Sequence, residues 1–173
     1  LFPGRYIHFG GDEVNPAGWS QRADIIAMAR ALDPKSDKPN FKAVEAEFAR
    51  RVVQLVRKHK RTPMGWDEII SAGLNADTLV QWWRMDKPEV MRTALRQGQS
   101  VVLSPADRMY LDYPAGLGEP GAPWEGNTGG PMSVEKIVAW EPMPADLNAE
   151  QQARILGIEA ALWTEFVRSE DYF

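Results

Sequence analysis

The sequence of 173 residues contains no cysteine and only two histidines, His8 and His59. Without cysteine, a thiol nucleophile, a zinc site with cysteine ligands and any disulfide are excluded. His8 together with Asp12 and Glu13 matches no zinc signature, so we expect no metal ion. A Ser-His-Asp triad would need His8 as its base, but the sequence has no Gly-x-Ser-x-Gly motif.

The sequence also lacks an excess of basic residues and long apolar runs. Its 20 basic and 24 acidic residues give a net charge of −4, which argues against a nucleic-acid partner. No stretch of about 18 apolar residues occurs, so we expect no membrane-spanning segment and no membrane partner. With 44% hydrophobic and 25% charged residues, the composition is that of a globular domain.

Tryptophan is abundant, with seven residues. Trp66, Trp83 and Trp163 each stand beside an acidic residue or an arginine at the predicted end of a strand. Aromatic rings stack on the C–H faces of sugars, and carboxylates accept hydrogen bonds from sugar hydroxyls. For Trp19 and Trp140, which lie in loop or helix contexts, we expect a packing role. Trp82 and Trp83 must face opposite ways on a strand, and alternation does not decide which of them packs.

Apolar periodicity and turn residues predict five strands alternating with helices. The predicted strands cover 5–9, 62–66, 78–83, 100–103 and 157–163, the helices 41–59, 87–97, 133–139 and 150–156, and a long loop 113–131. This alternation is typical of parallel βα units. A (β/α)₈ barrel and an open doubly wound sheet both bind ligands at the carboxyl ends of strands. Either architecture predicts one shared cleft.

Two adjacent carboxylates follow the first predicted strand. Asp12 and Glu13 come directly after Gly10 and Gly11. Both carboxylates can serve one cleft only if the chain turns there, as two glycines allow. Such a pair suits general acid/base chemistry, because one charge raises the pKa of its neighbour. The alternative is an exposed turn with two solvated acids.

The run His8-Phe-Gly-Gly-Asp-Glu13 resembles the His-x-Gly-Gly-Asp-Glu motif of family 20 glycoside hydrolases, the β-N-acetylhexosaminidases. Further motifs that resemble this family follow in order along residues 3–168: Gly65-Trp-Asp-Glu68, Val80-Gln-Trp-Trp-Arg84, Tyr110-Leu-Asp112 and Leu162-Trp-Thr-Glu165. The resemblance implies exo-hydrolysis of terminal β-linked GlcNAc or GalNAc. It also implies retention of configuration, with the substrate's own 2-acetamido group as nucleophile.

The resemblance implies roles for ten residues. Glu13 would be the general acid and base, Asp12 would orient the acetamido group and stabilise its positive charge, and Tyr110 would hydrogen-bond the acetamido oxygen. The implied substrate-binding residues are His8 behind the carboxylates, Trp66 and Trp83 at the N-acetyl pocket, Trp163 under the sugar, Asp112 and Glu165 at its hydroxyls, and Trp124 in the long loop. The partner would be an N-acetylhexosamine-terminated oligosaccharide or glycoconjugate, and no cofactor is implied.

The implied fold is α/β, a (β/α)₈ TIM barrel of which this chain supplies about strands four to eight. Residues 1–173 would be the C-terminal portion of a single catalytic domain, and the first three strands, with a sugar-gripping arginine, would precede Leu1. The sequence Gly157-Ile-Glu-Ala-Ala differs from the Gly-Gly-Gln of many relatives. It resembles a bacterial branch, and we expect this difference to lie away from the site.

Three alternatives and expectations stay open. A non-catalytic carbohydrate-binding module would use the same aromatic platforms. On its own, the chain would be an inactive fragment if the barrel needs its other strands, and its open sheet edges would favour self-association. A bacterial protein of the periplasm or the extracellular space is favoured, although the sequence leaves the compartment undetermined.

Overall fold

The computed structural model describes residues 3–123, 130–166 and 169 of the chain. Five strands lie in these residues: β1 (Tyr6–His8), β2 (Thr62–Trp66), β3 (Leu79–Trp82), β4 (Val101–Leu103) and β5 (Ile155–Ile158). The helices are α1 (Ala23–Leu32), α2 (Phe41–Lys58), α3 (Pro88–Arg96), α4 (Ala106–Met109), α5 (Val134–Val138) and α6 (Ala149–Ala153), and 3-10 helices cover Pro16–Gln21 and Asp67–Ala72. Within the same residues, no helix combines the length and apolarity needed to cross a membrane.

All five strands are parallel and form one sheet in the order β1-β2-β3-β4-β5. The register pairs His8 with Met64, Met64 with Leu79, and Val80 with Val101. Because the strands run in the same direction, their carboxyl ends meet at one end of the sheet. The predicted alternation of strands and helices is confirmed, and β1 and β5 are the two edge strands of this sheet.

The apolar core lies on the face of the sheet that α3 covers. Residues of β3, α3 and β4 pack there with Leu147 in one cluster: Val80, Trp82, Met91, Ala94, Leu95, Val101 and Leu103. Trp140 packs against this cluster, and the ring of Trp19 contacts Phe41 with centroids 6.2 Å apart. The packing roles predicted for these two tryptophans are therefore confirmed.

Helix α2 is the longest helix in the described part of the chain, and its start was predicted. Asn40 precedes it, and the side-chain oxygen of Asn40 accepts the backbone N–H of Ala43 at 3.2 Å, as an N-cap does. The helix ends at Lys58, one residue before the predicted end. Its buried face packs on the 3-10 helix Asp67–Ala72, which directly follows β2 and therefore braces the carboxyl end of that strand.

The predicted boundaries near β5 are wrong. Helix α6 ends at Ala153, and β5 covers Ile155–Ile158 instead of 157–163. Ile155 pairs with Val101, whereas the apolar spacing had placed it in the helix, since short apolar runs fit both structures. Beyond Ile158, the backbone N–H of Glu159 donates to the carbonyl of Leu103 at 2.9 Å, and Ala161 forms an isolated parallel bridge with Tyr110. Helices α1 and α4 were not predicted.

The long loop predicted at 113–131 is free of helix and strand in its described residues, 113–123 and 130–131. Its ends are tied back to the chain. The backbone N–H of Ala122 donates to the carbonyl of Asp112 at 2.7 Å, and the N–H of Met132 donates to the carbonyl of Pro114 at 2.8 Å. These bonds hold Asp112 at the base of the loop, near the carboxyl end of the sheet.

Candidate active site

The first candidate residues follow β1 in a turn that requires glycine. Gly10 and Gly11 have φ angles of +77° and +102°, which residues with side chains rarely adopt. The turn brings both Asp12 and Glu13 to one cavity, although neighbours on a regular strand would point to opposite faces. Glu13 itself has a φ of +45°, which is uncommon for a residue with a side chain. The expected turn at the two glycines is confirmed.

Gly65 lets β2 pass close beneath this turn. A Cβ atom at residue 65 would lie 2.8 Å from the carbonyl oxygen of Gly10, so a side chain would push the turn away. The backbone N–H of Trp66 donates to the same oxygen at 3.0 Å. The Trp66 ring meets the His8 ring edge to face, with centroids 5.2 Å apart. The carboxylate turn is thereby fixed to the end of β2.

The next two residues, Asp67 and Glu68, hold the end of β3. Asp67 is fully buried, and its Oδ2 accepts the backbone N–H groups of Trp83 and Arg84, each at 3.3 Å. Its Oδ1 accepts from Arg84 Nε at 2.5 Å. Glu68 Oε2 accepts the indole N–H of Trp83 at 3.1 Å. These four bonds tie the carboxyl ends of β2 and β3 together.

Trp82 and Trp83 have different surroundings. Trp82 is buried in the core, and its indole N–H donates to the carbonyl of Lys87 at 3.3 Å. The Trp83 ring borders the cavity and lies parallel to the Tyr110 ring, with centroids 6.3 Å apart and planes at 11°. The structure thus places Trp83 at the cavity and Trp82 in the core, which alternation alone left undecided.

The ends of β4 and β5 come together through a short parallel bridge. Tyr110 pairs with Ala161, and the backbone N–H of Leu111 donates to the carbonyl of Ala161 at 2.7 Å. Two residues later, the Trp163 ring meets Tyr110 at 5.7 Å and Trp66 at 5.9 Å between centroids. Trp66 ends β2 and Trp163 follows β5, so their contact requires the sheet to curve around the space between them.

A cavity of about 240 Å³ lies in this space. It is bordered by all the predicted site residues except His8 and Trp124, and also by Tyr113. His8 lies behind the cavity against Trp66, and Trp124 is outside the described residues. Tyr113 was missed from the sequence, although it is an aromatic residue directly after the Tyr110-Leu-Asp112 motif. Its ring stacks on that of Tyr110, with centroids 6.0 Å apart.

The surroundings of Tyr110 keep its hydroxyl protonated. Burial raises the pKa of Tyr110 well above its usual range, while a hydrogen bond from Trp163 acts in the opposite direction. The negative charges of Glu159 and Asp112 raise this pKa further. A phenol that does not ionise near neutral pH remains a hydrogen-bond donor. Tyr110 can therefore donate to an acceptor atom in the cavity.

His8 is held as a neutral ring. Partial burial lowers the pKa of His8 below its usual range, and the charges of Asp12 and Glu159 only partly offset this. Its Nδ1 accepts the backbone N–H of Gly10 at 3.1 Å, which requires an unprotonated Nδ1. The proton of the neutral ring is then on Nε2. His8 thus adds a hydrogen bond to the glycine turn that carries Asp12.

Glu159, the residue directly after β5, influences the site through its charge. Its Oε2 accepts a hydrogen bond from Ser104 Oγ at 2.8 Å and another from Gln81 Nε2. Its charge affects the pKa values of both Tyr110 and His8. Residues 157–161 border neither this cavity nor the larger cavity beside Trp83, as expected for this sequence difference, and Glu159 acts on Tyr110 and His8 through its charge alone.

A second cavity, of about 660 Å³, lies on the other side of Trp83. Glu13, Trp83 and Tyr113 border both cavities, and Glu68 and Arg84 border the second. In the residues that the structure describes, no cluster of three or more histidine or acidic side chains is arranged to hold a metal ion. The chemical groups at the first cavity are a carboxylate pair, a phenol donor and aromatic walls. This combination suits binding of a sugar ring and proton transfer to or from it.

The comparisons with known proteins agree with this geometry. The whole chain, residues 1–173, matches "Glycosyl hydrolase family 20, catalytic domain". The beta-hexosaminidase of Porphyromonas gingivalis is similar, with 29% identity over 176 residues covering 100% of this chain and 21% of that protein. The chain therefore spans about a fifth of the length of this curated relative.

Two solved structures resemble the chain in fold. The exo-β-N-acetylglucosaminidase from Vibrio harveyi in complex with N-acetylglucosamine has a TM-score of 0.76 and 30% identity, over 97% of this chain and 25% of that one. The N-acetyl-β-hexosaminidase of Streptomyces plicatus in complex with Thio-NAglucal has a TM-score of 0.70 and 32% identity, over 98% of this chain and 30% of that one. The predicted α/β fold, a partial barrel with five parallel strands, is confirmed. The chain therefore belongs to glycosyl hydrolase family 20.

Proposed function

We propose that this chain carries the catalytic groups of a β-N-acetylhexosaminidase that removes terminal, non-reducing β-linked GlcNAc or GalNAc from an oligosaccharide or glycoconjugate. One observation carries the proposal. The ends of five different strands bring Asp12, Glu13, Tyr110 and three tryptophans to a single cavity. A site that only binds sugars needs the aromatic rings but has no use for a proton donor next to them.

In the proposed first step, Glu13 acts as a general acid. The oxygen of the substrate's 2-acetamido group attacks the anomeric carbon, the bond to the leaving oxygen breaks, and Glu13 gives that oxygen its proton. The product of this step is an oxazolinium-like ring. Its formation explains why a second protein nucleophile is not needed in this mechanism. The position of Glu13 on an exposed turn at the cavity supports its access to the leaving group.

In the second step, Glu13 takes a proton from water while the water attacks the anomeric carbon and opens the oxazolinium ring. Two displacements at one carbon retain its configuration. Asp12 orients the acetamido group and stabilises the positive charge that develops on its nitrogen. Tyr110 donates a hydrogen bond to the acetamido oxygen, a role supported by the raised pKa that keeps its hydroxyl protonated.

The remaining residues hold the sugar. Trp66 and Trp83 form the walls around the acetamido group, and Trp163 lies under the sugar ring. Asp112 and Glu165 accept hydrogen bonds from hydroxyls at the far edge, which fixes the orientation of the substrate. The contacts of Trp163 with Trp66 and Tyr110 support this assignment, because they already form an aromatic floor and side wall.

Turnover of aryl glycosides by the complete protein tests the proposal. We expect hydrolysis of 4-nitrophenyl N-acetyl-β-glucosaminide and no comparable hydrolysis of the β-glucoside, which lacks the acetamido nucleophile. Asp12→Asn should reduce the first activity strongly and leave binding of plain glucosides unchanged. Binding of N-acetylglucosamine without turnover of any aryl glycoside would instead identify a carbohydrate-binding module and overturn the proposal.

A further inference from the structure

Glu68 is a largely buried carboxyl for which the proposed mechanism has no use. Its side chain is only 12% exposed, and it lies at the start of the 3-10 helix that follows β2. A carboxyl removed from water needs hydrogen-bonding partners. Its partners are the indole N–H of Trp83, at 3.1 Å from Oε2, and Arg84, whose Nε lies 3.7 Å from Oε1.

Trp83 is held by two carboxylates: Asp67 bonds its backbone, and Glu68 bonds its indole ring. Asp67 accepts the backbone N–H groups of Trp83 and Arg84, which fixes where the main chain lies. The indole can still rotate about its two side-chain bonds when the main chain is fixed. Among the hydrogen bonds of the described residues, the bond from the Trp83 indole to Glu68 is the one that selects the ring orientation.

The orientation of this ring matters because it forms part of the cavity wall. The Trp83 ring lies parallel to that of Tyr110, with centroids 6.3 Å apart, and Tyr110 in turn contacts Trp163. A rotated indole would leave this stack and change the space beside Tyr110. In the proposed function, that space receives the acetamido group, which must reach the anomeric carbon in one orientation.

We propose that Glu68 is a positioning residue whose carboxyl holds the Trp83 indole as the wall of the acetamido pocket and so restricts the size of the acyl group that the site accepts. This inference rests on the proposed function and deepens it. Glu68 acts on the substrate only through Trp83. Its role therefore predicts a change in the choice between substrates that differ only in the acyl group.

The test compares 4-nitrophenyl N-acetyl- and N-propionyl-β-glucosaminides as substrates of the complete protein. Glu68→Ala should lower kcat/KM for the N-acetyl substrate by about 10- to 100-fold, as misplacement of a positioning group does. For the N-propionyl substrate, kcat/KM should fall by a smaller factor, so the ratio of the two kcat/KM values, which measures the preference for N-acetyl, should decrease. Glu68→Gln retains an oxygen that accepts the indole N–H and should keep the preference. An unchanged preference in Glu68→Ala, or an equal loss in Glu68→Gln, would overturn the inference.

A double-mutant comparison separates this role from general loss of structure. Trp83→Phe removes the indole N–H, so Glu68→Ala should change the preference little further in that background, and additive effects would contradict the coupling. Glu45→Ala is the matched control. Glu45 borders the larger cavity but pairs with Lys42, at 2.7 Å. Removal of the Glu45 carboxylate should leave the preference for the N-acetyl substrate as in the unmodified protein.

The outcomes also distinguish this inference from the proposed function. If the unmodified protein does not hydrolyse the N-acetyl substrate, the proposed function fails, and the role of Glu68 fails with it. If the unmodified protein and Glu45→Ala are active and Glu68→Ala has the same acyl preference as both, only the role of Glu68 is overturned. Retained activity with a relaxed preference supports both.

Discussion

The two sides of the cavity are built differently. The residues from the middle of the sheet, Trp83, Tyr110 and Asp112, are wholly or partly buried and are fixed by hydrogen bonds or ring stacking between neighbouring strand ends. The residues that follow the edge strands β1 and β5, Asp12, Glu13, Trp163 and Glu165, are exposed. We call the first set, together with Asp67 and Glu68, which hold Trp83, the clamped side, and we call the second set the open side.

This difference means that substitutions on the clamped side change the stability of the fold, whereas substitutions of Asp12 and Glu13 on the open side change mainly the chemistry. On the clamped side, each candidate residue is also part of the packing, so its substitution changes the fold and the site together. On the open side, Asp12 and Glu13 depend on a glycine turn and few contacts of their own. Groups that exchange protons with a substrate must be accessible, and the conformation of Glu13, at a φ of +45°, is of the strained kind found at functional sites.

The largest expected effect is on the open side. Glu13→Gln in the complete protein should reduce kcat/KM for oligosaccharides by about 10² to 10⁴, the usual contribution of a general acid. Aryl substrates with good leaving groups need less protonation and should lose less. The midpoint of urea unfolding should stay unchanged, since Glu13 is exposed. Equal losses on both substrate types would show that Glu13 is not the acid.

The matching substitution on the clamped side should change stability instead. Asp67→Ala leaves three donors, the N–H groups of Trp83 and Arg84 and the Arg84 guanidinium, without their buried acceptor. Breaking a buried ion pair by removing one partner costs about 3 to 5 kcal/mol, which urea unfolding would measure. Asp12→Ala is the control and should change stability by about 0.5 kcal/mol or less. If Asp67→Ala and Asp12→Ala lowered the free energy of unfolding by similar amounts, the distinction between the two sides would be wrong.

Much of the fold that carries the clamped side could be predicted from the sequence, because it follows from local patterns. The run 62–66 has the bounds of β2, and Asn40 marks the start of α2. The parallel arrangement then places the strand ends together. The alternation of side chains could not decide between Trp82 and Trp83, since that choice depends on Asp67 and Glu68, which come from another strand end.

The parts that sequence reasoning missed depend on tertiary contacts. The bounds of β5 follow from the pairing of Ile155 with Val101, not from the apolar pattern, which fits a helix equally well. The partners of Glu159, which are Gln81 on β3 and Ser104 directly after β4, also come from distant parts of the sequence. Contacts between residues that are distant in sequence have no local pattern, so one amino-acid sequence does not reveal them.

A smaller effect is expected where the two sides meet. Gly65→Ala would place a Cβ 2.8 Å from the Gly10 carbonyl oxygen and 3.0 Å from Ile69 side-chain atoms. Overpacking of this kind costs about 1 to 3 kcal/mol, and the shift should move the turn with Asp12 and Glu13. We expect a lower unfolding midpoint together with a lower kcat. Gly18→Ala, where no atom would meet the Cβ and φ is not positive, controls for the loss of a glycine alone. Unchanged kcat in Gly65→Ala would show that the turn does not depend on β2.

The last expected effect is a dependence of stability on pH on the clamped side. Burial, with a contribution from the Asp67 charge, raises the pKa of Glu68 to about 7 from its ordinary 4.5, although the Trp83 indole and Arg84 act in the opposite direction. The folded chain therefore binds this proton more tightly than the unfolded chain does. The stabilisation is complete below about pH 4.5 and is lost as the pH rises through 7. Glu68→Gln has no proton to lose, so the unmodified protein should lose stability relative to this variant between pH 4.5 and 7 in urea unfolding. A constant difference over that range would mean that Glu68 titrates in the fold as it does in water, and that its carboxyl is less enclosed by the clamped side than its contacts with Trp83 and Arg84 imply.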